Sequence, residues 1–266
     1  MMTTRTALST ACRLGAVLLV CGLGVDRAEA GPRLYARLGA GIASPSLDDW
    51  NEDIQIDEDA NRANGGNIDI EQMGVGFPVL GEIGIRVADA LAMGMLASWQ
   101  SRSVDNPLNN SIESLVYQRE VSAVTLAGAF DIVIASGDEE GWGGALMVDR
   151  LVVGGDAGWA WSDARYEVHY RRYSDPSFDV DIDGSWEGQV FTASLYVGVE
   201  RLLSKQTTLF ARLGYRHQNF GELEGGYTSP QWGTLPGPPR FGNGTGEPME
   251  TDLSGIYVLA GIGFGG

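Results

Sequence analysis

The chain has 266 residues, enough for one domain, and a formal charge of −17 that repels phosphate and argues against a nucleic-acid partner. Cys12 and Cys21 are its only cysteines, and both fall in the first thirty residues. The remainder therefore has no disulfide, thiolate nucleophile or cysteine metal site. Glycine is abundant, at 38 residues, and lysine occurs only as Lys205, which fits neither a helical enzyme nor a disordered tail.

At the N-terminus, Arg5 and Arg13 precede an apolar run over residues 14–25, and Ala28-Glu29-Ala30 forms a small-residue cleavage site. Residues 1–30 read as a signal peptide, with 31–266 as the mature domain starting at Gly31. A lipidated Cys21 is the rival, but it needs a small residue just before the cysteine, and Val20 is not one. Taking three arginines and two acids from the 18 basic and 35 acidic residues leaves 15 and 33, a mature charge of −18. No later apolar run approaches eighteen residues, so a transmembrane helix is not expected.

Beyond residue 31 the periodicity is two. Leu34, Ala36, Leu38, Ala40 and Ile42 alternate with Arg33, Tyr35, Arg37 and glycines. Val75, Phe77, Val79, Ile83, Ile85 and Val87 oppose Gly74, Gly76, Glu82, Gly84 and Arg86; Met93, Met95 and Trp99 oppose Gly94, Ser98 and Gln100. Val124, Leu126, Phe130 and Ile132 form a fourth apolar face, and Leu151, Val153, Trp159 and Trp161 a fifth. Three more follow, over residues 191–200, 207–216 and 255–264. Eight strands are expected, joined by alternating long and short connections: 45–73, 163–185 and 219–252 are long, 88–90 and 203–206 short. Residues 135–150 break that rhythm, and 141–150 fit either a short helix or an early part of the fifth strand. Pro78 lies inside the second segment and predicts a bulge there.

Alternation alone suits a soluble barrel with a ligand inside as well as a membrane barrel with lipid outside. The polar face, which mixes glycines and small residues with charges of both signs, suits a narrow filled interior better than a soluble surface. Trp99, Trp159, Trp161 and Tyr215 fall at one set of strand ends, and Phe130 and Phe264 at the other, as interfacial belts do. The leader, eight strands, acidic loops and terminal segment Gly255-Ile256-Tyr257-Val258-Leu259-Ala260-Gly261-Ile262-Gly263-Phe264 resemble the OmpA/OmpW-like superfamily of small outer-membrane barrels. The resemblance covers 31–266 as a pattern. It implies an all-β fold, an eight-stranded antiparallel transmembrane β-barrel with long external loops, in a bacterial outer membrane. Gly265 and Gly266 follow Phe264 where the resemblance implies a terminal aromatic residue.

The inward face carries Arg33, Arg37, Glu82, Arg86, Asp131, Asp156, Glu200, Arg212 and Arg216. Buried charges must pair, so these residues predict a salt-bridge network filling the lumen, with Arg37–Glu82 and Glu200–Arg212 as neighbouring-strand pairs. Asp179-Val180-Asp181-Ile182-Asp183-Gly184 opens like an EF-hand loop, but the twelfth position is Val190, so calcium would need Glu187 instead. The first long connection holds nine acidic residues and Arg62, and reads as a solvated loop able to meet divalent cations or lipopolysaccharide. His169 and His217, the only histidines, sit in no catalytic motif, so no enzyme activity, cofactor or metal site is expected. The expected function is a non-enzymatic barrel, structural or surface-interacting through its acidic external loops, with outer-membrane lipid as partner. A narrow porin-like channel for small or apolar solutes and a soluble lipocalin-like binding protein are the alternatives.

Overall fold

The computed structural model describes residues 32–63, 69–106, 108–109, 113–137, 148–173, 179–231, 233–241 and 246–265. The expected leader and Gly31 lie outside them, as do residues 141–147 of the undecided segment, whose last residue, Arg150, opens a strand. In chain order the elements are β1 (Arg33–Pro45), α1 (Asp48–Ala63), β2 (Val79–Ala88), β3 (Leu91–Asp105), β4 (Leu108–Asn109) and β5 (Glu113–Ser136). They continue with β6 (Arg150–Arg172), β7 (Val180–Leu202), β8 (Thr207–His217), β9 (Asn219–Glu222), β10 (Glu224–Ser229), β11 (Gly233–Pro236), β12 (Glu250–Asp252) and β13 (Gly255–Gly265).

Eight of these strands form an antiparallel ring. β1 pairs with β2, β2 with β3, β3 with β5, β5 with β6, β6 with β7, β7 with β8, and β8 with β13. β13 returns to β1 through the register Ala36↔Phe264 to Pro45↔Gly255. The pairing gives each of the eight a partner on both sides, which meets the backbone donors and acceptors of the stretches paired within the ring. The two-residue turn at Asp89 and Ala90 and the connection over 203–206 mark what we call the lower end.

Sheet structure runs further up than the membrane-length segments in the sequence suggest. β5, β6 and β7 have 24, 23 and 23 residues, absorbing much of the expected long connection over 163–185. There Ala164, Tyr166, Val168 and Ile182 point inward and are buried, so a core exists above the charged interior. The first long connection is not a solvated loop but contains α1. Trp50, Asp53 and Ile54 recur on one helical face and bury it, while Asp48 and Asp49 in the first turn and Arg62 in the last complement the helix dipole. Short strands complete the cap: β10 extends the sheet from upper β7, β11 pairs with β10, and β12 pairs with β9.

The expected bulge at Pro78 does not occur. Arg33↔Arg86 through Ala40↔Val79 and the isolated bridge Ala43↔Gly76 keep one register across it. Gly41 N–H donates to Pro78 C=O at 3.0 Å, so the ring loses only the bond that proline cannot donate. β2 simply begins after it, at Val79.

Candidate functional site: a charged interior under a capped upper end

Alternation turns one side chain in two inward, and the inward set divides into layers. In the lowest, Arg37 of β1 meets Glu82 at 3.2 Å and also contacts Asp131 and Glu200. Arg212 of β8 reaches Glu82 at 2.9 Å and Asp131 at 3.2 Å, and Arg86 lies 3.7 Å from Glu200. Three arginines and three carboxylates thus face one another across the ring. Tyr35 donates to Glu82 at 2.6 Å, Tyr196 donates to Asp131, and the Arg212 guanidinium lies 4.4 Å from the centre of the Tyr196 ring. Room for these rings comes from glycine. A Cβ on Gly84 would stand 2.7 Å from the Tyr35 ring, and one on Gly94 2.8 Å from its hydroxyl.

Not all nine inward charges join this layer. The expected Glu200–Arg212 pair gives way to cross-ring partners: Glu200 turns to Arg37, Arg86 and Arg150, Arg212 to Glu82 and Asp131. Strand tilt is the reason, since Glu200 stands opposite Phe210, two positions from Arg212. Asp156 and Arg216 sit a layer higher and contact neutral groups, Asp156 taking the Ser194 hydroxyl and Arg216 reaching Ser98 Oγ at 3.3 Å. Arg33 is exposed at the lower end. The tyrosines and Ser194, which donate to Glu82, Asp131 and Asp156, were missed because sequence reasoning considered only formal charges.

The upper chamber was also missed. Arg119 of β5 is fully enclosed and contacts Asp53 and, at 2.8 Å, Asp57 of α1. Its guanidinium lies 4.6 Å from the centre of the Tyr166 ring and 5.2 Å from that of Tyr117. Trp50 donates to Thr251 Oγ1 at 3.0 Å and meets Trp186 edge-on at 6.4 Å. Two of the acidic residues in the first connection are thus drawn inward by one arginine from another strand. Burial pushes the Asp57 carboxyl up to about 6; Arg119 opposes this, and Asp53 adds to it. The spacing of Leu47, Trp50 and Ile54 was the available signal for this helix, masked by the surrounding acidic residues.

The outward face changes character at one level. Descending β5, Gln118, Glu120 and Ser122 give way to Val124, Leu126, Phe130, Ile132 and Ile134. On β7, Asp183, Ser185, Glu187 and Gln189 give way to Phe191, Ala193, Leu195, Val197 and Val199. Leu195 is 69% and Met95 68% exposed, within a contiguous apolar patch and not as scattered single residues. At the boundary, Trp99, Val124 and Trp161 stand directly across neighbouring strands, and Trp159 packs edge-on against Phe191 at 5.8 Å.

No family model matches the chain, and no curated protein matches it. Among solved structures it is similar to Ail, the attachment invasion locus protein of Yersinia pestis, with 8% identity, 89% of this chain and 99% of that one covered, and a TM-score of 0.40. It is also similar to the outer membrane protein OprG from Pseudomonas aeruginosa, with 10% identity, 89% and 96% covered, and a TM-score of 0.42. A major outer membrane protein from Thermus thermophilus gives 10%, 88% and 99%, and 0.42. Likenesses at this level decide neither fold nor function.

Proposed function

We propose that the chain is a non-enzymatic outer-membrane barrel whose lumen is plugged by its own charges and whose cap is the contact surface. One observation carries this reading: the apolar outer belt, bounded by tryptophans at a single level. The eleven residues from Val124 to Ile134, on a strand tilted ~40°, rise ~25 Å, the height of a lipid-facing band. Water would leave that belt unpaired with any apolar partner, whereas lipid covers it. The paired lower layer supports a plug over a channel, since cross-ring ion pairs occupy the space a solute would need. Export through a leader cleaved after Ala30, with a mature domain from Gly31, belongs to the same proposal. So does contact of the remaining exposed acidic residues with divalent cations or lipopolysaccharide.

The test is membrane extraction followed by electrophoresis in SDS with and without boiling. A protein that stays in the membrane fraction through high salt and changes mobility only when boiled supports the reading. Release by high salt with no mobility shift would favour the soluble binding protein, and large steady conductance in planar bilayers would favour the channel.

A further inference from the structure

We propose that the outer face of the β6–β7 hairpin, above the apolar belt, carries a site for a zinc-type divalent cation, with His169, Glu167 and Asp183 as ligands. The strand register builds it. Glu167 stands opposite Asp183 and His169 opposite Asp181, and the buried Val168 and Ile182 between them fix all four on the outer face. One ligand atom from each of Glu167, His169 and Asp183 lies within 4.8 Å of the others. His169 Nε2 is 2.9 Å from Glu167 Oε1 and 3.8 Å from Asp183 Oδ1. Tetrahedral ligands ~2.1 Å from zinc stand ~3.4 Å apart, so small side-chain adjustments bring all three to one ion.

A second observation separates this from an ordinary acidic surface. His169 Nδ1 lies 2.8 Å from Asp181 Oδ1, and Arg171 Nη2 holds both Asp181 oxygens, at 2.8 and 2.7 Å. Asp181 is therefore anchored by an arginine and orients the ring. With Nδ1–H donated to it, the lone pair of Nε2 faces Glu167 and Asp183, the carboxylate–histidine–metal arrangement in which an outer partner fixes the tautomer of a ligand. Both ring nitrogens lie within hydrogen-bond distance of carboxylates. A divalent ion takes the Nε2 lone pair, any proton there leaving to solvent, and its two positive charges offset the negative charges of Glu167 and Asp183. One imidazole and two carboxylates select zinc over calcium or magnesium, which prefer all-oxygen sites. This is also why the nearby EF-hand-like spelling does not describe the site. On a strand, Asp181 and Asp183 follow the sheet at two-residue spacing instead of wrapping around an ion.

Isothermal titration of zinc chloride into the tag-free full chain in detergent tests the proposal. One saturable zinc per chain is expected, lost in His169→Ala, kept in His217→Ala, and weakened about 10–100-fold in Asp181→Asn. Asp183→Asn serves as a second ligand variant, and the heat-dependent mobility shift checks that each variant folds. An unchanged isotherm in His169→Ala, or calcium binding as tightly as zinc, would overturn the site. Unchanged affinity in Asp181→Asn would overturn the orienting role assigned to that residue.

Discussion

Removing Glu82 tests the charged interior most directly. It is 1% exposed, accepts from Tyr35 and Arg37, and forms an ion pair with Arg212 at 2.9 Å. Glu82→Ala leaves Arg37, Arg86, Arg212 and, at the edge, Arg150 facing only Asp131 and Glu200, one more uncompensated positive charge than in the parent. Breaking a buried ion pair by deleting one partner costs about 3–5 kcal/mol. Arg37 keeps two carboxylates and Arg212 keeps Asp131, so the expected loss is at the lower end, ~3 kcal/mol, or roughly 150-fold in the folding equilibrium. Urea unfolding in lipid vesicles, followed by tryptophan fluorescence, reads this directly. Combining Glu82→Ala with Arg212→Ala returns the layer to its parental charge, so the pair should cost less than the sum of the singles. Planar-bilayer conductance supplies the second readout, because water that enters to solvate an orphaned arginine also opens a path for ions. Unchanged stability together with unchanged conductance in Glu82→Ala would refute the argument, as would strictly additive singles.

Two further predictions concern the cap and the glycine seats. The Asp57 carboxyl is raised from 3.8 to about 6 in the folded state, so its proton is held more tightly there than in the unfolded chain. Its stabilising contribution is full below pH ~4 and is lost as pH rises through about 6, which makes α1 dock more firmly at pH 5 than at pH 7. Hydrogen exchange of the α1 amides, corrected for intrinsic rates, should show this by ~1 kcal/mol, and Asp57→Asn should flatten it. Gly84→Val places a Cβ 2.3 Å from the Met93 carbonyl oxygen and 2.7 Å from the Tyr35 ring, so the ring must leave Glu82. A loss of ~2–3 kcal/mol in the same unfolding assay is expected, and parental stability would show that Tyr35 does not need that seat.

The ring was legible because a strand has period two: once residues such as Leu195 and Val197 alternate with Ser194 and Tyr196, which side chains share a face follows from the sequence alone. The eight ring segments and the inward placement of Arg37, Glu82, Asp131, Glu200 and Arg212 followed from that rule. Pairing across the ring did not, because tilt and stagger carry Glu200 past Arg212 to Arg37, and no local pattern encodes a stagger accumulated over eight strands. The upper strands read as loops because their outward residues, Glu167, His169 and Asp183 among them, are polar, while their inward residues form a core only once α1 covers it. That helix is the clearest case. Its acids marked a solvated segment when counted along the chain, and only the fold supplies Arg119, sixty-six residues from Asp53, whose charge makes their burial possible.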